Sequence, residues 1–229
     1  MFLFMPTKIY GQRRQQKAPL ANSLVIAANV LAYFLGLHLP VGPGTSLFSV
    51  FGYAFTHASL SHLMLNMWLL WIVGNAVNRC IGNTQYLVGY GGIVLVMGLA
   101  ARLSIGTLMA GSSGAIFGMV AVLAMLMPSA KTEIGCVAVF PLTILLGILK
   151  PPSEWVYWLI RWDRFKIAAW NFLFLIPILQ ITGIMWWGWN WTHAGHLLGF
   201  FCGIGFVLLL PNQISMPTSN FGFQINPNQ

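Results

Sequence analysis

Six stretches of about twenty residues, almost free of charge, leave this chain little choice of fold. A helix of that length crosses a hydrocarbon core of about 30 Å. The 229 residues are 58% hydrophobic and only 6% charged, where a soluble domain carries roughly 25% charged residues. The expectation is an integral, multi-pass, all-α membrane protein: a six-helix bundle with no separate soluble domain. The apolar stretches fall at 22–40, 60–78, 84–102, 113–128, 167–187 and 193–210. A loop at 41–58 holds Gly, Pro and several Phe, and a longer connection at 129–166 holds every acidic residue: Glu133, Glu154 and Asp163. Three parts follow: a basic, cytoplasmic N-terminal segment (1–21), a membrane domain (22–210), and an uncharged, polar tail (211–229) expected to be disordered.

The basic residues decide orientation. A formal charge of +8 can signal nucleic acid, but Lys and Arg here form no single patch. Lys8, Arg13, Arg14 and Lys17 precede the first span; Lys131, Lys150, Arg161, Arg164 and Lys166 lie between two later ones. With both termini cytoplasmic and six crossings, ten of the eleven basic residues fall inside and only Arg102 outside, as the positive-inside rule requires. No nucleic-acid partner is expected; the lipid bilayer is. Trp186, Trp187, Trp189 and Trp191 then mark the outer interface. Cys80, Cys136 and Cys202 are scattered and read as packing residues.

One stretch is ambiguous, because residues 134–149 are apolar enough to make a seventh span. Ser113 and His196 both open their helices, so they share a membrane face only if an even number of crossings separates those two starts. The stretch 134–149 is therefore expected to be re-entrant or interfacial, followed by an amphipathic surface piece bearing Trp155, Trp158 and Trp162.

Polar groups set inside a span are costly and are functional candidates by default. Gly111-Ser112-Ser113-Gly114 opens the fourth span and Gly195-His196-Leu197-Leu198-Gly199 lies at the start of the last. A serine hydroxyl attacks only when a base accepts its proton, and His196 is the natural base. With no Asp or Glu in any span, the candidate is a Ser-His dyad, and aspartyl and HExxH mechanisms lack their carboxylates. Gly114 and Gly118 are spaced i,i+4, as are Gly195, Gly199 and Gly203, so the two helices can approach closely. Phe117, one turn after Ser113, is placed to lie against the imidazole. His62 and Asn66 share a face of the second span and, with backbone N–H groups at the Ser113 helix start, can donate to an oxyanion. The alternative for that pair is an interhelical hydrogen bond. His57 is read as anchoring its loop to the helix tops. His57, His62, His193 and His196 lack a carboxylate or cysteine partner at good spacing, so no metal or cofactor is expected.

Taken in order, Phe55-x-His57, His62-x-x-x-Asn66, Gly111-x-Ser113-Gly114-Ala115-Ile116-Phe117-Gly118 and Gly195-His196-x-x-Gly199-x-x-x-Gly203 resemble the rhomboid family of intramembrane serine proteases. The resemblance covers about Phe48 to Gly203. It implies the six-helix rhomboid core, a Ser113–His196 dyad, and oxyanion stabilisation by His62, Asn66 and the Ser113 amide. It also implies substrates that are single-span membrane proteins, cut in or beside their transmembrane helix. The chain departs from the family where Phe48-Ser49 replaces a usual Trp-Arg pair, where Asn78 replaces an acid closing the second span, and in its longer 129–166 connection.

Two other functions compete. A catalytically silent rhomboid-like protein would bind membrane clients for quality control, but such relatives typically lack the serine or the histidine. A small transporter would need paired intramembrane charges or broken-helix repeats, and the sequence has neither. A prokaryotic cytoplasmic membrane is the expected location, from the compact core without extra domains.

Overall fold

The computed structural model describes residues 3–10, 18–104, 108–139, 144, 148, 160–188 and 191–210. The tail at 211–229, Trp155, Trp158 and Trp189 lie outside the described residues. The chain is mostly helical, and among the described residues four helical stretches are long and apolar enough to cross a membrane: Leu60–Ile81, Asn83–Leu103, Ala169–Trp186 and Thr192–Leu209. Leu20–Phe34 and Ser113–Leu126 are apolar but shorter.

Helix α1 (Leu20–Phe34) ends sooner than the apolar run that contains it. Gly36 takes φ +69, its N–H donates to the Tyr33 carbonyl and the Leu37 N–H reaches back to Ala32. This paired bonding around a left-handed glycine closes a helix and satisfies its last carbonyls. The chain then runs through the loop at 41–58, which holds a short helix α2 (Ser49–Gly52) and a 3-10 turn (Tyr53–Phe55).

The second span is continuous but irregular: α3 (Leu60–Leu69), one π-turn (Leu70–Gly74) and α4 (Asn75–Ile81). Ser59 caps its start by accepting from the His62 N–H at 3.2 Å, a normal stabilising N-cap. At the π-turn the side chain of buried Asn22 donates to the Leu70 carbonyl at 2.9 Å and to Asn75 Oδ1 at 2.8 Å. Tyr86 donates to Asn22 Oδ1 at 2.6 Å. Asn78, the residue that departs from the family's acid, accepts from the Asn22 N–H and donates to Asn83 Oδ1. These bonds satisfy buried amides without burying a charge, which the bilayer would penalise.

Helix α5 (Asn83–Leu103) leads to the segment before α6 (Ser113–Leu126). Helix α7 (Phe172–Trp187), with Pro177 inside it, follows a 3-10 turn at Ala169–Asn171, and α8 (Trp191–Leu209) is the last. Helices α6 and α8 run parallel and touch through backbone. Gly118 lies against Gly199, where an added Cβ would meet the Gly199 carbonyl at 2.8 Å. A Cβ on Gly199 would collide with the Gly114 carbonyl, and one on Gly203 with that of Gly118.

The chain is not all-α. Strands β1 (Leu3–Tyr10), β2 (Lys131–Val139) and β3 (Ile160–Ala168) form one antiparallel sheet with β2 in the centre. The N-terminal segment thus supplies an edge strand, and the register shift between Pro6 and Lys8 falls where an edge tolerates proline. Glu133 binds the strands together: Tyr10 donates to it at 2.8 Å, Thr7 at 3.0 Å, and Arg164 lies 3.6 Å away. The Tyr10 and Thr7 hydroxyls hold its carboxyl below the usual carboxylate range.

Of the stretch 134–149, residues 134–139 form strand, and most of the remainder lies outside the described residues. Residues 134–139 are the second half of β2, in which 134–137 pair with both neighbours and Ala138 and Val139 with β3 alone, and Trp162 lies in β3. The apolar half of β2 reads as membrane-seeking in isolation, yet a central strand finds hydrogen-bond partners in its neighbours. Val139 pairs with Ile160, so the residues between them leave and return at adjacent points. The Ala169 N–H donates to Ala130 and the Trp170 N–H to Pro128, which sets the start of α7 beside the end of α6.

Candidate active site

Ser113 and His196 meet where the parallel helices α6 and α8 begin. His196 Nε2 lies 3.1 Å from Ser113 Oγ, a hydrogen-bonding distance. The two residues stand one before Gly114 and three before Gly199, so the close backbone contact of the glycines brings these two side chains within reach. Phe117 stacks on the imidazole, with ring centroids 4.2 Å apart and planes at 27°. Gly195 and Gly203 continue the α8 stripe on either side of Gly199.

The segment leading to Ser113 is held by the 41–58 loop. Val41 and Met109 exchange two backbone hydrogen bonds, at 2.9 and 2.8 Å, and the Gly111 N–H donates to the Tyr53 carbonyl at 2.8 Å. Gly111 has φ +105, a conformation that favours glycine. A Cβ there would also lie 2.8 Å from the His62 ring and 3.6 Å from Asn66 Nδ2. Glycine is therefore required twice over at this position. It turns the chain into α6 and lets the second span come close to the serine.

His62 and Ser113 line a cavity of about 290 Å³ together with His196, Gly111, Gly114 and Met97. Asn66 lies one turn below His62 and is 2% exposed; its Nδ2 is buried without a hydrogen-bond partner. An unpaired buried donor costs about 1–3 kcal/mol. The first N–H groups of α6 also lack partners within their helix. The interhelical bond that would tie the second span to the fourth is thus not made by this amide. His57 is buried with its ring edge-on to His62 at 5.1 Å. Burial, and then the neighbouring His62 ring, pushes His57 down to about 4, so it is an uncharged wall at neutral pH. Ser112 is 1% exposed and does not line the cavity.

One contact has no counterpart in the sequence motifs. Gln180 of α7 places Oε1 3.2 Å from His196 Nδ1 and 2.7 Å from His193 Nδ1. The signal for it was available: a glutamine in the middle of an apolar helix is as conspicuous as a buried serine. Among the described residues, no three His, Cys, Asp or Glu side chains gather to hold a metal ion.

Fold and site together define an integral membrane protein with a serine and a histidine hydrogen-bonded at the head of two tightly packed helices. Comparison with known proteins gives the family. A Rhomboid domain family model matches residues 44–213, and the chain belongs to the rhomboid family. It is 30% identical over 143 residues to "Rhomboid protein 1, mitochondrial" of Saccharomyces cerevisiae, covering 55% of this chain and 38% of that protein. It is 26% identical over 160 residues to "Presenilin-associated rhomboid-like protein A, mitochondrial" of Danio rerio, covering 67% and 35%. The chain thus spans little more than a third of either relative's length.

Proposed function

We propose that this protein is an intramembrane serine endopeptidase in which Ser113 is the nucleophile and His196 the general base. The observation that carries this reading is the 3.1 Å contact between Ser113 Oγ and His196 Nε2 at a cavity wall. As Oγ attacks a scissile carbonyl, His196 takes its proton and then delivers it to the departing amine. Water, deprotonated by the same imidazole, releases the acyl group. The tetrahedral oxyanion falls within reach of Asn66 Nδ2, His62 and the free N–H groups at the head of α6. Of these, Asn66 Nδ2 is buried without a partner and so ready for charge that develops later. Phe117 limits the rotation of the imidazole. A fluorophosphonate label should react with the wild-type protein and fail with Ser113→Ala. Equal labelling of both would remove Ser113 from the reading.

The depth of the site favours transmembrane substrates. Helix α6 has 14 residues and rises about 21 Å, short of a hydrocarbon core of about 30 Å. If its far end reaches one interface, Ser113 lies below the other. Substrates would be single-span membrane proteins presented in or beside their transmembrane helix. A client-binding protein without catalysis is the second reading, and the intact Ser113–His196 contact disfavours it. As for location, both relatives are mitochondrial by name, which favours an organelle membrane over the prokaryotic one expected from compactness.

The topology we propose is six crossings with both termini on the same, basic-rich face of the membrane, the face that the sequence alone reads as cytoplasmic. It is supported by the ten-to-one distribution of basic residues, the parallel run of α6 and α8, and the pairing of Val139 with Ile160. Single cysteines at positions 131 and 153, in a background without native cysteines, should both be labelled from the face that carries the termini. Labelling from opposite sides would establish a seventh crossing.

Asn66 gives a second test. Asn66→Ala should lower kcat by roughly ten- to a thousandfold, the range for losing one preorganised donor. KM should change little, because the donor acts mainly in the transition state. Melting of the same sample should not fall, because the amide Nδ2 it removes has no partner to lose. A stable variant with normal turnover would leave only His62 and the Ser113 amide as oxyanion donors.

A further inference from the structure

Among the described residues no carboxylate reaches the base of the dyad, and another group stands in that place. We propose that Gln180 is a positioning residue: it holds His196 in the tautomer protonated on Nδ1, which leaves Nε2 bare to accept the proton of Ser113. This rests on the protease reading of the same site.

The chemistry is constrained by what each atom can do. Gln180 Oε1 is an acceptor with two lone pairs and no hydrogen. It faces two imidazole nitrogens, His193 Nδ1 at 2.7 Å and His196 Nδ1 at 3.2 Å. Both bonds form together only if both nitrogens donate. A neutral imidazole carries one N–H, so His196 must then present a bare Nε2, and that atom is the one 3.1 Å from Ser113 Oγ. The opposite tautomer would point an N–H at the serine and leave it without a base. In the attack, the Ser113 O–H bond breaks as the Oγ–carbon bond forms, the proton moves to Nε2, and the carbonyl electron pair moves onto oxygen. His196 becomes an imidazolium, and its Nδ1–H bond to Gln180 becomes a stronger, charge-assisted one.

The surroundings fit this role. Gln180 is 8% exposed, so water does not compete for Oε1. A neutral amide orients the ring without placing a second charge in the bilayer, where an unpaired carboxylate is costly. His193 steadies the amide from one turn before His196. Gly183, three residues after Gln180 and hence on the same face of α7, makes room for His193; a Cβ there would lie 2.6 Å from that ring.

The test uses the full chain in detergent with a transmembrane substrate. Gln180→Met keeps the length but removes the acceptor, while Gln180→Glu keeps an accepting oxygen. The Met variant should lose roughly ten- to a thousandfold in kcat, less than the ~10⁴ lost when a charged orienting group is altered, with KM unchanged. The Glu variant should recover most of the rate. In Ser113→Ala protein, the ¹⁵N resonances of His196 should show hydrogen on Nδ1, and Gln180→Met added to it should shift the population toward Nε2. Wild-type kcat in Gln180→Met, equal losses in the Met and Glu variants that follow their melting temperatures, or hydrogen on Nε2 in the Ser113→Ala protein would each overturn the proposal. Cleavage that survives Ser113→Ala would instead overturn the protease site. The tautomer measurement needs no turnover and still decides the role of Gln180.

Discussion

Ser113→Ala and His196→Ala should each lower cleavage of a transmembrane substrate by at least about 10⁴-fold, because a nucleophile and its base act as a unit and either deletion removes both. The double variant should be no worse than either single one. Ser112→Ala should keep near-normal turnover, although the two serines are adjacent. Ser112 is buried away from the cavity, whereas Ser113 lines it and touches the imidazole. Folding should survive the serine substitution, because the hydroxyl contributes one hydrogen bond, worth about 1 kcal/mol. Turnover and melting measured on the same samples check this. An active Ser113→Ala protein, or an essential Ser112, would show that the nucleophile has been misassigned.

Gly199→Val should reduce kcat by about a hundredfold or more while the protein still inserts into membranes. The side chain would collide with the Gly114 carbonyl, which belongs to the residue directly after Ser113. Helix α8 must then move away from α6, carrying His196 with it. A displacement near 1 Å at a reacting pair can cost about 10²-fold in rate. Gly205→Val is the control: it lies on the same helix, but nothing stands within 4 Å of its added Cβ, so turnover should not change. Equal turnover in both variants would show that the close approach of α6 and α8 does not assemble the site.

The meeting of Ser113 with His196 was legible in the chain because helical geometry converts spacing into position. Glycines at i,i+4 on two apolar segments mark faces that can touch, and each candidate side chain sits at a fixed offset from its stripe. The places of the apolar helices were legible for the same reason, although among the described residues four of them are long and apolar enough to cross a membrane. Where they failed, local backbone chemistry intervened: at the end of α1, Gly36 and Leu37 close the helix although Leu37 and Leu39 would continue an apolar run.

The sheet was not legible. Its bonds join residues such as Thr7 and Glu133, which are 126 positions apart. Nothing in either segment alone distinguishes an apolar central strand from an interfacial stretch. Gln180 was hidden differently. It lies 16 residues before His196 in no motif, and its meaning comes only from what it faces.

The amino-acid order alone therefore determined that the protein lives in a bilayer, roughly where its helices run, and which serine and histidine could meet. Each of these follows from short-range periodicity and from the penalty on charge in hydrocarbon. Tertiary structure alone decided the sheet that ties the N-terminus to the α6–α7 connection, the unpaired amide of Asn66, and the acceptor behind His196. These depend on which groups distant in the chain become neighbours, and a buried polar atom has no partner until the surrounding helices have packed.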